Sequence, residues 1–204
     1  PYASTVGTGT EVNGLTQAVG GTMTLTTGAA GSDTAGQGLG LNWSGDRGFY
    51  FIARAKIARI TDVKFEIGVT DAVSDDGAVA VKSTPTFTAT DCALFVYDRT
   101  DDANMTFVSN GGTTDANADA AAGVIVADTY FVVEVVGKGP TDTTGDNVAG
   151  YVNGVLVGTG NIDGANPLTP WAYVEDLATS VATIFTVDYW GIVGPRVAQW
   201  GVST

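Results

Sequence analysis

Beyond residue 20 the apolar positions recur at every second residue, the spacing that places alternate side chains on opposite faces of a β-sheet. The plainest case is Asp62-Val63-Lys64-Phe65-Glu66-Ile67-Gly68-Val69. Here Val63, Phe65, Ile67 and Val69 are predicted to face a core, with Asp62, Lys64 and Glu66 facing out. Just upstream, Phe49, Phe51, Ala53, Ala55 and Ile57 alternate with Tyr50, Ile52, Arg54 and Lys56. Ala58-Arg59-Ile60-Thr61 joins the two runs, and the pattern predicts that they pair as antiparallel neighbours.

Later segments follow the same grammar. Short strands are predicted over 93–97 and 105–108, separated by the acidic turn Asp98-Arg99-Thr100-Asp101-Asp102. Residues 129–136 form a β-branched and aromatic run interrupted only by Glu134, as suits a strand. In Gly150-Tyr151-Val152-Asn153-Gly154-Val155-Leu156-Val157 the Asn-Gly pair lies between apolar runs. It supplies the positive φ angles of a two-residue type I′ hairpin turn. A long strand closes the series over 184–193. Residues 115–122 and 175–182 are too short or too poorly patterned to stand as helices. Loops are expected at 74–77, 109–114 and 141–147.

These elements predict an all-β chain: a two-layer antiparallel β-sandwich or jelly roll, with a closed barrel as the alternative within the class. Trp171 and Trp190 are expected to fill the core or cover a sandwich end. Residues 1–20 are small, polar and Gly-rich. They read as an extended N-terminal arm, a candidate for ordering against a neighbouring subunit, before a single domain over 21–204. The tail over 196–204 is a second such candidate.

The 204-residue length suits one sandwich and buries a core without covalent staples. The 28 glycines are scattered between apolar runs, as tight turns require. Twenty-two acidic residues against nine basic ones give a net charge of −13. That field repels phosphate backbones and anionic bilayers, so nucleic-acid and membrane partners are not expected. No signal-peptide pattern opens the chain, and Pro1 is a residue that can follow a removed initiator Met. Cys92, the single cysteine, lies in the apolar run Cys92-Ala93-Leu94-Phe95-Val96 and reads as a small buried hydrophobe. A disulfide-free chain fits synthesis in a reducing cytoplasm.

The chain contains no histidine. Ser-His-Asp and Cys-His catalysis and His-liganded zinc are thereby excluded. Paired carboxylates are the remaining enzymatic option, and they need to face each other at about 5–10 Å in a cleft. The four glutamates, Glu11, Glu66, Glu134 and Glu175, are far apart in sequence, with Glu66 and Glu134 at outward strand positions. No enzyme is expected, and no catalytic, cofactor-binding or metal-ligating residue is assigned. Calcium is the one cofactor with a case, through the acidic groups Asp71/Asp75/Asp76, Asp98/Asp101/Asp102 and Asp142/Asp146. Aspartate is also favoured in turns because it bonds its own backbone. Tyr2, Trp43, Tyr50 and Trp200 are candidates for stacking on sugar or filling a partner's pocket, with sheet packing as the alternative.

Several segments resemble a known group. Phe49-Tyr50-Phe51-Ile52-Ala53-Arg54-Ala55-Lys56-Ile57 and Val63-Lys64-Phe65-Glu66-Ile67-Gly68-Val69-Thr70-Asp71 are similar to paired strands of concanavalin-like jelly-roll proteins from tailed-phage particles. Val152-Asn153-Gly154 resembles the hairpin of laminin-G-like and concanavalin-like sandwiches, and Val187-Asp188-Tyr189-Trp190 resembles their final strand. The resemblance spans roughly residues 45–195. It implies a virion protein that decorates or cements a phage capsid, or a head fibre. Such a protein is made in the host cytoplasm, is oligomeric, and bridges neighbouring copies of the major capsid protein. A lectin-like module for host glycans, with or without calcium, is the alternative it implies. The Glu-x-Asp-x-x-Glu motif of sandwich glucanases is absent.

Overall fold

The computed structural model describes residues 4–8, 12–16, 22–111, 121–139, 146–164, 166–178 and 181–196. Among these the chain is built of antiparallel strands, with one 3₁₀ turn at Gly45–Arg47 and no α-helix. Sheet A runs in the order β1 (Ser4–Thr8), β4 (Thr34–Gly38), β16 (Pro167–Asp176), β7 (Val63–Thr70), β10 (Asp91–Asp98), β11 (Asn104–Gly111), β12 (Ala121–Val124). The short β5 (Trp43–Ser44) also pairs with β16. Sheet B runs β15 (Val155–Gly160), β14 (Val148–Val152), β13 (Phe131–Gly137), β6 (Phe49–Ile57), β17 (Ile184–Val193), β3 (Thr22–Thr26), β2 (Val12–Thr16). A small hairpin of β8 (Val79–Val81) and β9 (Thr86–Phe87) stands apart. Neither sheet closes on itself among the described residues, so the molecule is a sandwich and not a barrel.

The core lies between the sheets. Phe51, Ala53, Ala55 and Ile57 of β6, Val133 and Val135 of β13 and Phe185 and Val187 of β17 meet Val63, Phe65, Ile67 and Val69 of β7 and Phe95 and Tyr97 of β10. Phe65 ties the layers together: its ring stacks on Tyr97 within sheet A and on Phe131 and Phe185 across the gap, with centroids 5.0–5.8 Å apart. Replacing a phenylalanine in such a site by alanine costs about 3–5 kcal/mol. The Asn153-Gly154 turn has φ of 50° and 78° and joins β14 to β15, as the hairpin signal predicts. Cys92 is fully buried, and burial pushes its thiol well above the ordinary range.

Three expectations change. β6 and β7 do not pair: β6 lies between β13 and β17 in sheet B, and β7 lies between β10 and β16 in sheet A. The five residues from Ala58 to Asp62 are long enough to cross between layers as well as to turn back, and the apolar pattern is the same in either case. The segment expected as an arm contributes an edge strand to each sheet, since β1 pairs with β4 and β2 with β3. Lys64 and Glu66 point away from the core as predicted but are buried, Lys64 at 4% exposure and Glu66 at 0%. Residues 71–91 fold back over the outer face of sheet A and bury them. A second apolar cluster forms there from Ala78, Val79, Cys92, Leu94, Val96, Val108, Trp171 and Tyr173. Trp171 therefore packs outside sheet A, while Trp190 lies partly buried against the main core.

Candidate functional site

Adjacent strands β7 and β16 set the site. Their register places Tyr173 opposite Glu66 and Glu175 opposite Lys64, so alternation turns all four side chains to the outer face of sheet A. Glu66 is fully buried, and its carboxylate is occupied by donors. The Ala78 N–H donates to Oε2 at 2.8 Å, the Val79 N–H to Oε1 at 3.0 Å and the Trp171 Nε1–H to Oε2 at 3.1 Å. A buried carboxylate is tolerable only when paired and bonded in this manner. The turn that brings residues 78 and 79 onto Glu66 passes through Gly77 at φ 73°. A Cβ at Gly77 would stand 2.7 Å from Glu66 Oε1, so this approach needs glycine.

Lys64 completes the network. Its Nζ donates to the Val79 carbonyl, lies 3.4 Å from Glu66 Oε1 and 3.8 Å from Glu175 Oε2, and sits 5.6 Å from the Tyr173 ring centroid. The Tyr173 hydroxyl bonds to the Asp75 carbonyl at 3.0 Å and is 3.4 Å from Glu175 Oε2. Burial, then the charges of Glu175 and Glu66, pushes the Tyr173 phenol up, so it stays a neutral donor. Burial also raises the Glu175 carboxyl, against the pull of Lys64.

Beside this network opens a cavity of about 360 Å³. The sheet contributes Thr34, Lys64, Tyr173 and Glu175 to its lining; the turns and the covering segment contribute Ser32, Asp75, Asp76 and Ala80. Its volume falls at the lower end of small-ligand sites. A lysine ammonium, a phenol, two side-chain hydroxyls and three carboxylates converge on one space. That set both donates and accepts hydrogen bonds, which suits a ligand rich in hydroxyl groups.

Of the predicted residues, Asp75 and Asp76 reach this cavity, while Asp71, Asp98, Asp102 and Asp146 bond within their own turns and neighbouring segments. Asp71 accepts from the Thr90 N–H and hydroxyl and from the Asp91 N–H at 2.7–3.1 Å. Asp98 accepts from the Thr100 N–H and hydroxyl. Asp102 accepts from Lys82 at 2.7 Å and from the Asn104 N–H at 2.6 Å; burial opposes ionisation, but these donors hold its carboxyl below the ordinary range. Asp146 bonds to the Thr159 hydroxyl, and Asp142 lies outside the described residues. Among the described residues no three His, Cys, Asp or Glu side chains are grouped to hold a metal ion. Trp43 is buried beneath Arg196, Tyr50 is half exposed on sheet B, and Tyr2 and Trp200 lie outside the described residues. Glu134 does face outward, where it accepts from the Tyr50 hydroxyl at 2.6 Å.

Glu66 and Lys64 lie on the face their alternation predicts, but their buried pairing, the place of Glu175 beside them and the part of Tyr173 were not foreseen. A usable signal was present in Leu168-Thr169-Pro170-Trp171-Ala172-Tyr173-Val174, which is apolar at both odd and even positions. Such a run marks a strand covered on both faces. Polar residues on its neighbours are then candidates for burial.

No family model and no curated protein matches the chain. Solved structures do. The potassium-bound carbohydrate recognition domain of Emp46p superposes with a TM-score of 0.59 at 7% identity, over 96% of this chain and 89% of that one. The endo-β-1,4-glucuronan lyase of the fungus Trichoderma reesei gives 0.53 at 10% identity, over 95% and 90%. A sialidase gives 0.56 at 11% identity; the match covers 85% of this chain but only 15% of the sialidase. Likeness at this identity concerns the fold and not the chemistry. The chain has the concanavalin-like β-sandwich fold shared with carbohydrate recognition domains.

Proposed function

We propose that this chain is a non-catalytic carbohydrate-binding module whose cavity on the outer face of sheet A holds a sugar through its hydroxyl groups. The observation that carries the reading is the pairing of Lys64 Nζ with Glu175 Oε2 at 3.8 Å on the cavity lining. That separation is too long for a hydrogen bond. A hydroxyl entering there accepts from the ammonium and donates to the carboxylate. The Tyr173 phenol and the Asp75 and Asp76 carboxylates offer further partners. The likeness to carbohydrate recognition domains supports the same class of ligand.

The occupancy of Glu66 takes that carboxylate out of the cavity's chemistry. Both its oxygens are engaged by backbone N–H groups and an indole, and it is sealed from the cavity. It is therefore poorly placed to act as the second carboxylate of a glycosidase. The test is a glycan array, with and without a calcium chelator, followed by calorimetry on the best ligand. Glu175→Gln is expected to weaken binding about tenfold, the loss of one charge-assisted hydrogen bond. Unchanged affinity, or turnover of a bound glycan, would overturn the assignment.

A second reading, decoration of a phage capsid, is favoured by a different region. Val124, Val126, Val155 and Leu156 stand 52–72% exposed around the strand edges at β12 and β15. Exposed apolar groups gathered at one edge suit a protein contact. Co-sedimentation with undecorated capsid shells tests it: binding lost in Leu156→Asp supports decoration, and no binding by the wild type rejects it.

A further inference from the structure

The geometry points to a second saccharide site, a shallow groove on the outer face of sheet B that takes an uncharged linear oligosaccharide across strands β14, β13, β6 and β17. The groove is separate from the cavity on sheet A and stands whether or not that cavity binds sugar.

Cross-strand register builds it. Tyr151, Glu134, Ile52 and Gly191 face one another in a single row, as the pairings Tyr151–Glu134, Glu134–Ile52 and Ile52–Gly191 establish. Two tyrosines flank this row at its β6–β17 end. Tyr50 stands in the row on one side, opposite Val136 and Val193, and Tyr189 in the row on the other, opposite Arg54. Both are exposed, at 37% and 45%. A bulge between Val187 and Tyr189 returns Tyr189 to the outer face while Trp190 and Ile192 pack toward the core. Between the two rings Gly191 leaves a notch: a Cβ built there meets nothing within 4 Å. Ile52, Glu134 and Tyr151 continue the row away from it, with Tyr50 and Tyr189 in the rows on either side.

The groups around the notch are fixed in advance. The Tyr50 hydroxyl donates to Glu134 at 2.6 Å. Arg54 pairs with Asp188, and its guanidinium lies 3.8 Å above the Tyr130 ring. Lys56 pairs with Asp128 at 3.5 Å. On a chain of net charge −13, this face carries two paired cations, Arg54 and Lys56, against three carboxylates, Asp188, Asp128 and Glu134. The carboxylate surplus disfavours an acidic partner, and the pairing of both cations leaves hydrogen bonding and ring contact as the modes of recognition. Aromatic faces beside locked donors and acceptors match a pyranose, which has an apolar C–H face and a rim of hydroxyls. On ordinary strand spacing, Tyr151 and Gly191 are about 14 Å apart and Tyr189, one row over, about 16 Å from Tyr151, room for a chain of about three sugars. Rigid tyrosines lose little conformational freedom on binding.

The test is an NMR titration of the intact chain with cellohexaose, xylohexaose and maltohexaose, following backbone amides. The amides of Ile52, Glu134 and Gly191 report the groove; those of Lys64, Tyr173 and Glu175 report the cavity. At least one hexaose is expected to shift the groove set. Gly191→Val fills the notch with a good strand former, so it should keep the melting temperature while weakening groove binding about tenfold or more. Tyr189→Ala should weaken it by a similar factor. The proposal is overturned if none of the three sugars moves the groove amides at millimolar concentration, or if Gly191→Val binds as the wild type does. Movement of the cavity amides alone overturns the groove and leaves the first site standing.

Discussion

The two outer faces of this sandwich begin from the same grammar and end in opposite states. On β6, in sheet B, residues alternate cleanly between buried and partly exposed, and the polar positions Tyr50, Arg54 and Lys56 meet water. On β7, in sheet A, an equally regular alternation yields a strand buried at every residue. The difference comes from outside the strand. Residues 71–91 return across sheet A and convert its outer face into a second interior, where Lys64 and Glu66 exist only as members of a bonded network. Among the described residues sheet B receives no such cover, and its charges pair side by side at the surface. An outward strand position is thus a statement about direction; whether it is wet depends on the topology of a distant segment.

Breaking the covered network should cost the most. Glu66→Ala strands a buried ammonium and three donors, and a loss of about 4 kcal/mol in denaturant unfolding is expected. On the bare face, Glu134→Gln removes a surface acceptor from Tyr50 and should change stability by less than about 1 kcal/mol. A ratio near unity between those two losses would erase the distinction between the faces.

Intermediate in size is a pH effect at Asp91, where β10 begins. Its buried carboxylate accepts the Asp163 N–H at 2.9 Å and the Gly164 N–H at 2.8 Å, anchoring the turn before β16. Burial raises this group to about 6, although the backbone donors oppose the shift. A folded-state value above the unfolded one means that the native state binds the extra proton. Stability from this group therefore grows as pH falls through 6 toward 4 and is lost as pH rises through 6. Between pH 7 and pH 5 the wild type should gain about 1 kcal/mol relative to Asp91→Asn, measured by unfolding at each pH. Parallel pH profiles would show that Asp91 does not titrate there.

The smallest effect expected is at Tyr50. Its hydrogen bond to Glu134, followed by burial and the Glu134 charge, pushes the phenol up to about 12. An ultraviolet titration of Tyr50→Phe should therefore lose a transition well above the ordinary tyrosine range, and Glu134→Gln should bring that transition down.

The strands were legible because one face of each meets a core: Val63, Phe65, Ile67 and Val69, and the β6 series from Phe49 to Ile57, are buried as the alternation predicts. Asn153-Gly154 was legible because its positive φ angles are a local demand that few residues meet. Sheet membership was not. The link between β6 and β7 crosses layers, and nothing in its five residues distinguishes a turn from a crossing. The cavity was hidden for a related reason. Thr34, Lys64, Asp75 and Glu175 converge through pairings between strands more than 100 residues apart, which no local pattern encodes. The groove was half visible: Tyr50 stood out as an exposed aromatic, but its relation to Tyr189 and Gly191 depends on the β6–β17 register and a bulge.

On the proposed function, the polar cavity between β4, β7, β16 and the segment covering them accepts sugar hydroxyls. A crystal structure of the chain soaked with the strongest ligand from the glycan array tests it most directly. A sugar hydroxyl within hydrogen-bond distance of both Lys64 Nζ and Glu175 Oε2 is the predicted result. A high-affinity glycan seated elsewhere, with those two groups unaltered, would contradict it.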